Sequence, residues 1–173
     1  MSDPTFSIPA ATSGSYPVRA GCTLRPLVDG QPAFRRICDA IDAATTSVWG
    51  TVAFLEHEAP MPDDRGSIFD VLSAAADRGV DVRIIFWRSE ETGADEHFPG
   101  DERQRRWLAD KGHRLKARWD ATPDSCVHQK SWLIDAGTAT ERAFVGGINL
   151  DHASTTSSPG HGQNEPGNVH DVY

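Results

Sequence analysis

Lysine is scarce in this chain. Of 17 basic residues only Lys111, Lys116 and Lys130 are lysine, and 25 acidic residues outnumber the basic set, for a formal net charge of −8. A chain of that sign has no general attraction for a polyphosphate backbone, so nucleic acid is the less favoured partner, although a local basic site is compatible with it. Cysteine is scarce too. Cys22, Cys38 and Cys126 are odd in number and contain no C-x-x-C pair, which argues against a disulfide framework or a zinc knuckle and fits a reducing compartment. Long apolar runs are missing: the longest are about six residues, against the roughly 20 that span a bilayer. The N-terminus has no basic stretch followed by an apolar one, so no secretory signal is read there. These absences predict a soluble, cytoplasmic protein.

What remains is ordinary globular material. The 173 residues suit one domain, and 38% hydrophobic composition is enough for a core without staples. Residues 1–20, rich in Ser, Thr, Pro, Gly and Ala, are expected to be a flexible leader, and 21–173 the folded lobe. Elements then alternate. Residues 23–28 read as a short strand. Phe34, Ile37, Cys38, Ile41 and Ala44 recur at helical spacing behind Pro32. The run 47–55 is β-branched and aromatic, as buried strands are. Ser67 is an N-cap for a helix that Gly79 ends. Residues 80–87 form the next strand, 89–100 an acidic loop, Asp101 and Gln104 a capping box for a helix through Lys111, and 114–119 a further strand. Strands alternating with crossover-length helices predict an α/β layered fold, with helices on the faces of a largely parallel sheet. Residues 154–168 read as a long polar loop. A strand that starts at Val169 and stops at Tyr173 points to a lobe cut short at its C-terminal end.

The chemistry concentrates in residues 126–149, CVHQKSWLIDAGTATERAFVGGIN. It holds His128-x-Lys130, then Asp135 after four residues, then Gly146-Gly147-x-Asn149. On a strand, side chains alternate, so His128 and Lys130 project from one face within reach of one anion. An imidazole serves as nucleophile or acid–base group near neutral pH. An ammonium holds phosphate oxygens as their charge grows. Gly146 and Gly147 let backbone approach a ligand, and the Asn149 amide can donate to a phosphate oxygen. By composition, H-x-K-x4-D arises by chance in roughly one such chain in a hundred, and the added G-G-x-N lowers that to roughly one in 10⁵.

This motif pair resembles the signature of the phospholipase D superfamily of phosphodiesterases. PLVDG before a helix, SVWGTVAFL, AAADRGVDVRIIF, HQKSWLID and FVGGINL are similar in order to the same family, so the resemblance runs from about Gly21 to Tyr173. Two departures stand out. Ten residues separate Asp135 from Gly146 where the family usually has six, which an elongated hairpin would absorb. The family also builds one site from two H-x-K motifs, in one chain or across a homodimer, and this chain has one.

The resemblance implies a layered α-β-α lobe and a metal-independent, two-step displacement through a phosphohistidine. His128 would be nucleophile or acid. Lys130, Asn149, Gly146 and Gly147 would hold the phosphate. Asp135 would be the motif carboxylate, more supporting than chemical, since on a regular strand it faces away. Asp171, on the expected strand after G-G-x-N, would bond the imidazole Nδ1 and fix its tautomer. The expected substrate is a phospholipid, hydrolysed or used for phosphatidyl transfer, because G-G-I-N and the overall pattern look closer to cardiolipin synthase-like relatives. That substrate brings peripheral membrane contact. A homodimeric nuclease-like enzyme on DNA, or an inert N-terminal half of a larger enzyme, are the alternatives. A second H-x-K lobe, in trans or in a missing C-terminal part, is required in the first two readings.

Simpler roles account for the remaining residues. His152, His161, His170, Asp151 and Glu165 match no ligand spacing and are read as loop polar residues, with no metal or cofactor expected. The five tryptophans read as core or crevice lining, with Trp132 the candidate pocket wall. Cys126 reads as a small buried filler.

Overall fold

The computed structural model describes residues 21–87, 102–111, 115–120, 122, 125–156 and 171–173. The expected leader at 1–20, the acidic loop at 89–100, Asp101, and His161, Glu165 and His170 lie outside the described residues.

The first helix, α1 (Gly30–Ala43), turns Ala33, Phe34, Ile37, Cys38 and Ile41 inward. These positions recur every three or four residues, which is one stripe of a helix. Burial pushes the Cys38 thiol up to about 12, so it packs as a small apolar group. The chain then enters β1 (Ser47–Val52). Ser67 caps α2 (Ile68–Asp77): its hydroxyl accepts from Asp70 N–H while Asp70 takes the Ser67 N–H, a reciprocal box. Gly79, at φ 92°, ends the helix in a conformation that costs a side-chain-bearing residue and feeds β2 (Asp81–Trp87). Helix α3 (Glu102–Lys111) crosses to β3 (Lys116–Asp120). A hairpin follows, β4 (Lys130–Ile134) and β5 (Arg142–Gly146), and then the short α4 (His152–Thr155).

The five strands form one sheet in the order β3-β2-β1-β4-β5. β1, β2 and β3 are parallel, and β4 runs against both β1 and β5. β5 is therefore parallel to β1, and β4 alone is reversed. The mixed α/β sheet, largely parallel, is as expected. Val48, Val52, Val82, Ile84, Phe86, Trp132 and Ile134 face α1 and α2 and form the core with them. Helix α3 joins the same side, with Trp107 edge-on to Phe69 of α2 and Leu108 buried. Trp49, Ile85 and Val145 lie on the other face and are exposed. Of the two helical layers expected, the described residues contain this one.

Two strand expectations change at their ends. Of residues 23–28 only the end joins a partner: Leu27 exchanges backbone hydrogen bonds with Tyr173, and Val28 forms an antiparallel bridge to Val172. Pro26 has no N–H to give a ladder, and Leu24 is 91% exposed with no face to bury. β1 ends at Val52, short of residue 55, because the chain leaves the sheet to pair Leu55 with Leu150.

Candidate active site

Lys130 opens β4 and stands in register with Val52 at the end of β1 and Gly146 at the end of β5. It therefore sits where the parallel strands finish, the rim at which open α/β sheets carry their ligands. Its alternation partners Trp132 and Ile134 are core residues, so the Lys130 stem is drawn inward and only 3% of the residue is exposed. The ammonium returns to the rim. Its Nζ lies 3.0 Å from His128 Nε2 and 3.4 Å from Nδ1. An ammonium can only donate, so the imidazole accepts and keeps a lone pair toward it. Burial lowers the Lys130 pKa; the nearby Cys126, Asp171 and Asp151 pull the other way without cancelling that effect.

His128 is not in β4. It belongs to the exposed segment just before it, and an aromatic group braces that segment. The Phe54 ring meets the imidazole edge-on at 5.4 Å and carries Lys130 Nζ 5.4 Å from its centroid. Trp87, at the end of β2, packs on Phe54 at 5.2 Å, and its Nε1 donates to Ser125 O at 3.1 Å. Asn149 follows β5 on a short loop. Among the described residues its buried Oδ1 has no hydrogen-bond partner. Asp171 arrives from the far end of the chain: Asp29 N donates to its carbonyl and Gly147 N to that of Val172.

The family description "Cardiolipin synthase, PLD-like domain" matches residues 37–160. The chain belongs to the phospholipase D superfamily. It is similar in fold to Nuc from Salmonella typhimurium, a phospholipase D family member, at 23% identity and a TM-score of 0.54, over 86% of this chain and 80% of that one. NucT from Helicobacter pylori is similar over 86% of this chain and 82% of its own, at 17% identity and a TM-score of 0.51. A comparison with curated proteins gives no match. The chain is thus a phospholipase D-like domain of the phosphodiesterase type.

Within this phospholipase D-like lobe the structure sorts the motif residues into three groups. His128 and Lys130 touch. Gly146 and Gly147 serve the C-terminal segment: a Cβ on Gly146 would meet Val172 and Tyr173, and one on Gly147 would fall on the Asp171 carboxylate. Their close backbone approach is thus to residues 171–173, and the Gly147 N–H is spent on Val172 O, not left for a phosphate. Asp171 Oδ1 accepts from Val172 N–H at 2.7 Å. Among the described residues the imidazole has Lys130 and Phe54 as its contacts, so the expected Asp171–Nδ1 bond is not formed.

Asp135 is at the other end of β4, and on the order of 15 Å of strand separates it from Lys130. It is buried and accepts from the backbone N–H groups of Thr45, Thr46 and Ser47 at 3.0, 2.7 and 3.3 Å. Burial works against its ionisation, but these N–H groups and the Thr140 hydroxyl outweigh it and hold the carboxyl below its ordinary value of 3.8. Its φ of 51° starts the hairpin turn, with Thr138 N donating to Asp135 O. The motif carboxylate is a fastener for the α1–β1 loop.

Two further readings are corrected. Cys126 is exposed, because the segment before β4 lies on the rim with no described helix over it. Trp132 is 1% exposed, so its core reading holds and the alternative of a pocket wall falls. Asp151 caps α4 by accepting from Ser154 N. Among the described residues no group of His, Cys, Asp and Glu could hold a metal ion, and no helix is long and apolar enough to cross a membrane. Phe54 was missed by motif reading; its one sequence signal is a phenylalanine just past the end of a buried strand.

Proposed function

We propose that this chain supplies one H-x-K half of a phosphodiesterase site that acts on phospholipid head-group diesters. The observation that carries the reading is the 3.0 Å contact between the buried Lys130 ammonium and His128 Nε2 at the sheet rim. The Nε2 lone pair attacks phosphorus, forming a P–N bond as the P–O bond to the leaving alcohol breaks. The imidazole of a second H-x-K half gives that alcohol its proton. Phosphate oxygens replace His128 as partners of the Lys130 ammonium and gain from it as their charge rises. The Asn149 amide N–H₂ suits the same oxygens. Water, or a second alcohol for phosphatidyl transfer, then attacks the phosphohistidine, the second imidazole takes its proton, and the P–N bond breaks. In this reading Asp171, which the family resemblance pairs with Nδ1, stabilises the imidazolium once the ring turns from Lys130. A second copy of this chain completes the site by two-fold symmetry.

The family match favours lipid over nucleic acid, as does the net charge of −8. The test is release of head group from phosphatidylglycerol vesicles, set beside cleavage of single-stranded DNA and of bis(p-nitrophenyl) phosphate. Vesicle turnover that vanishes in His128→Ala, with wild-type protein denatured at mildly alkaline pH carrying a covalent phosphatidyl group that acid releases, is the expected result. Turnover by His128→Ala overturns the nucleophile. Cleavage of DNA with no action on vesicles overturns the lipid assignment and leaves the phosphodiesterase.

A further inference from the structure

His128 lies outside the sheet, in an exposed segment, yet a nucleophile must be held in line with the phosphorus it attacks. Among the described residues its side-chain contacts converge on one ring. Phe54 touches the His128 imidazole edge-on at 5.4 Å. It carries the Lys130 ammonium at 5.4 Å, within the distance at which a cation gains from a ring face. It rests against Trp87 at 5.2 Å, whose indole N–H holds Ser125 O, three residues before His128. Its own backbone is fixed: Phe54 O accepts from Leu150 N at 3.2 Å, and Glu56 N donates to Leu150 O at 2.8 Å. Leu150 directly follows Asn149. The ring thus joins both H-x-K side chains to the segment that carries the third phosphate-binding candidate.

We propose that Phe54 is a positioning residue, which sets the mutual geometry of His128, Lys130 and the Asn149 segment; this rests on the phosphodiesterase reading. A ring is needed because an aliphatic side chain offers the ammonium no negative face. Without it Lys130 is free to turn toward water, and His128 follows the loop.

The test compares Phe54→Leu, Phe54→Tyr and His128→Ala in the full chain with bis(p-nitrophenyl) phosphate. Phe54→Leu should lower kcat roughly tenfold to a hundredfold with KM nearly unchanged, since misplacement by about an ångström costs that much. Phe54→Tyr keeps the ring and should restore most of the rate. The His128 imidazole resonances, read by NMR, report the same geometry without turnover: they should move in Phe54→Leu and stay near wild type in Phe54→Tyr. Wild-type kcat and unmoved resonances in a folded Phe54→Leu overturn the proposal. Equal loss in both variants also overturns it, because it points to packing alone. If His128→Ala retains turnover, the phosphodiesterase reading falls instead, and the resonances alone decide whether Phe54 holds the pair.

Discussion

Lys130 is asked to do two incompatible things. A buried ammonium gives up water, yet the proposed reaction uses its charge close to a phosphate. Its lowered pKa records that conflict, with burial as the main cause. The sign follows. Between the folded value and the ordinary 10.5 the unfolded chain binds more protons, so this group adds stability as pH rises through that window and subtracts it below. Lys130→Met keeps the stem and removes the charge. Its thermal midpoint at neutral pH should match or exceed wild type while phosphodiester turnover falls by about 10² or more. A clear drop in midpoint in a calorimetric scan would mean that the ammonium stabilises the fold after all.

β4 works from both ends. Its first residue reaches the reacting rim, and Asp135, one past its last, fastens the loop that leads into β1. Asp135→Ala strands three N–H groups and puts a poor residue at φ 51°, at a cost of about 3 kcal/mol in urea unfolding. Asp135→Asn tolerates that φ and keeps one acceptor, so it should cost less. The depressed carboxyl contributes fully above 3.8 and loses its contribution as pH falls through its folded value, so the gap between wild type and Asp135→Asn should close on acidification. A gap independent of pH would show that the charge is irrelevant there. The elements around β4 were legible in sequence because burial follows period: α1 and α2 stripe at helical spacing, and β1 and β2 are β-branched runs. The Ser67 cap and the Gly79 stop are local and equally readable. Phe54, exposed Cys126 and the seating of Asp171 on Gly147 were not. They depend on which loops meet at a rim, and no period encodes that. The motif placed His128 and Lys130 together correctly, but nothing in H-x-K-x4-D says that its acid belongs to the far end of the strand.

At the scale of the molecule, one H-x-K motif leaves the proposed two-imidazole mechanism half furnished. Light scattering at assay concentration should give twice 18.8 kDa, with turnover per chain falling on dilution as the dimer dissociates. A monomer with full turnover would remove the need for a second copy. The pairing of Leu27 and Asp29 with Tyr173 and Asp171 carries a consequence of another kind. On a ribosome the chain emerges in order, so Asp29 waits for a partner 142 residues downstream, on the order of ten seconds later at typical elongation rates. Once β5 is made, and until residues 171–173 follow, its edge lacks that partner and the seat against Gly147 is vacant. The nascent lobe is thus sticky and chemically unfinished until residues 171–173 emerge, and both hazards end there.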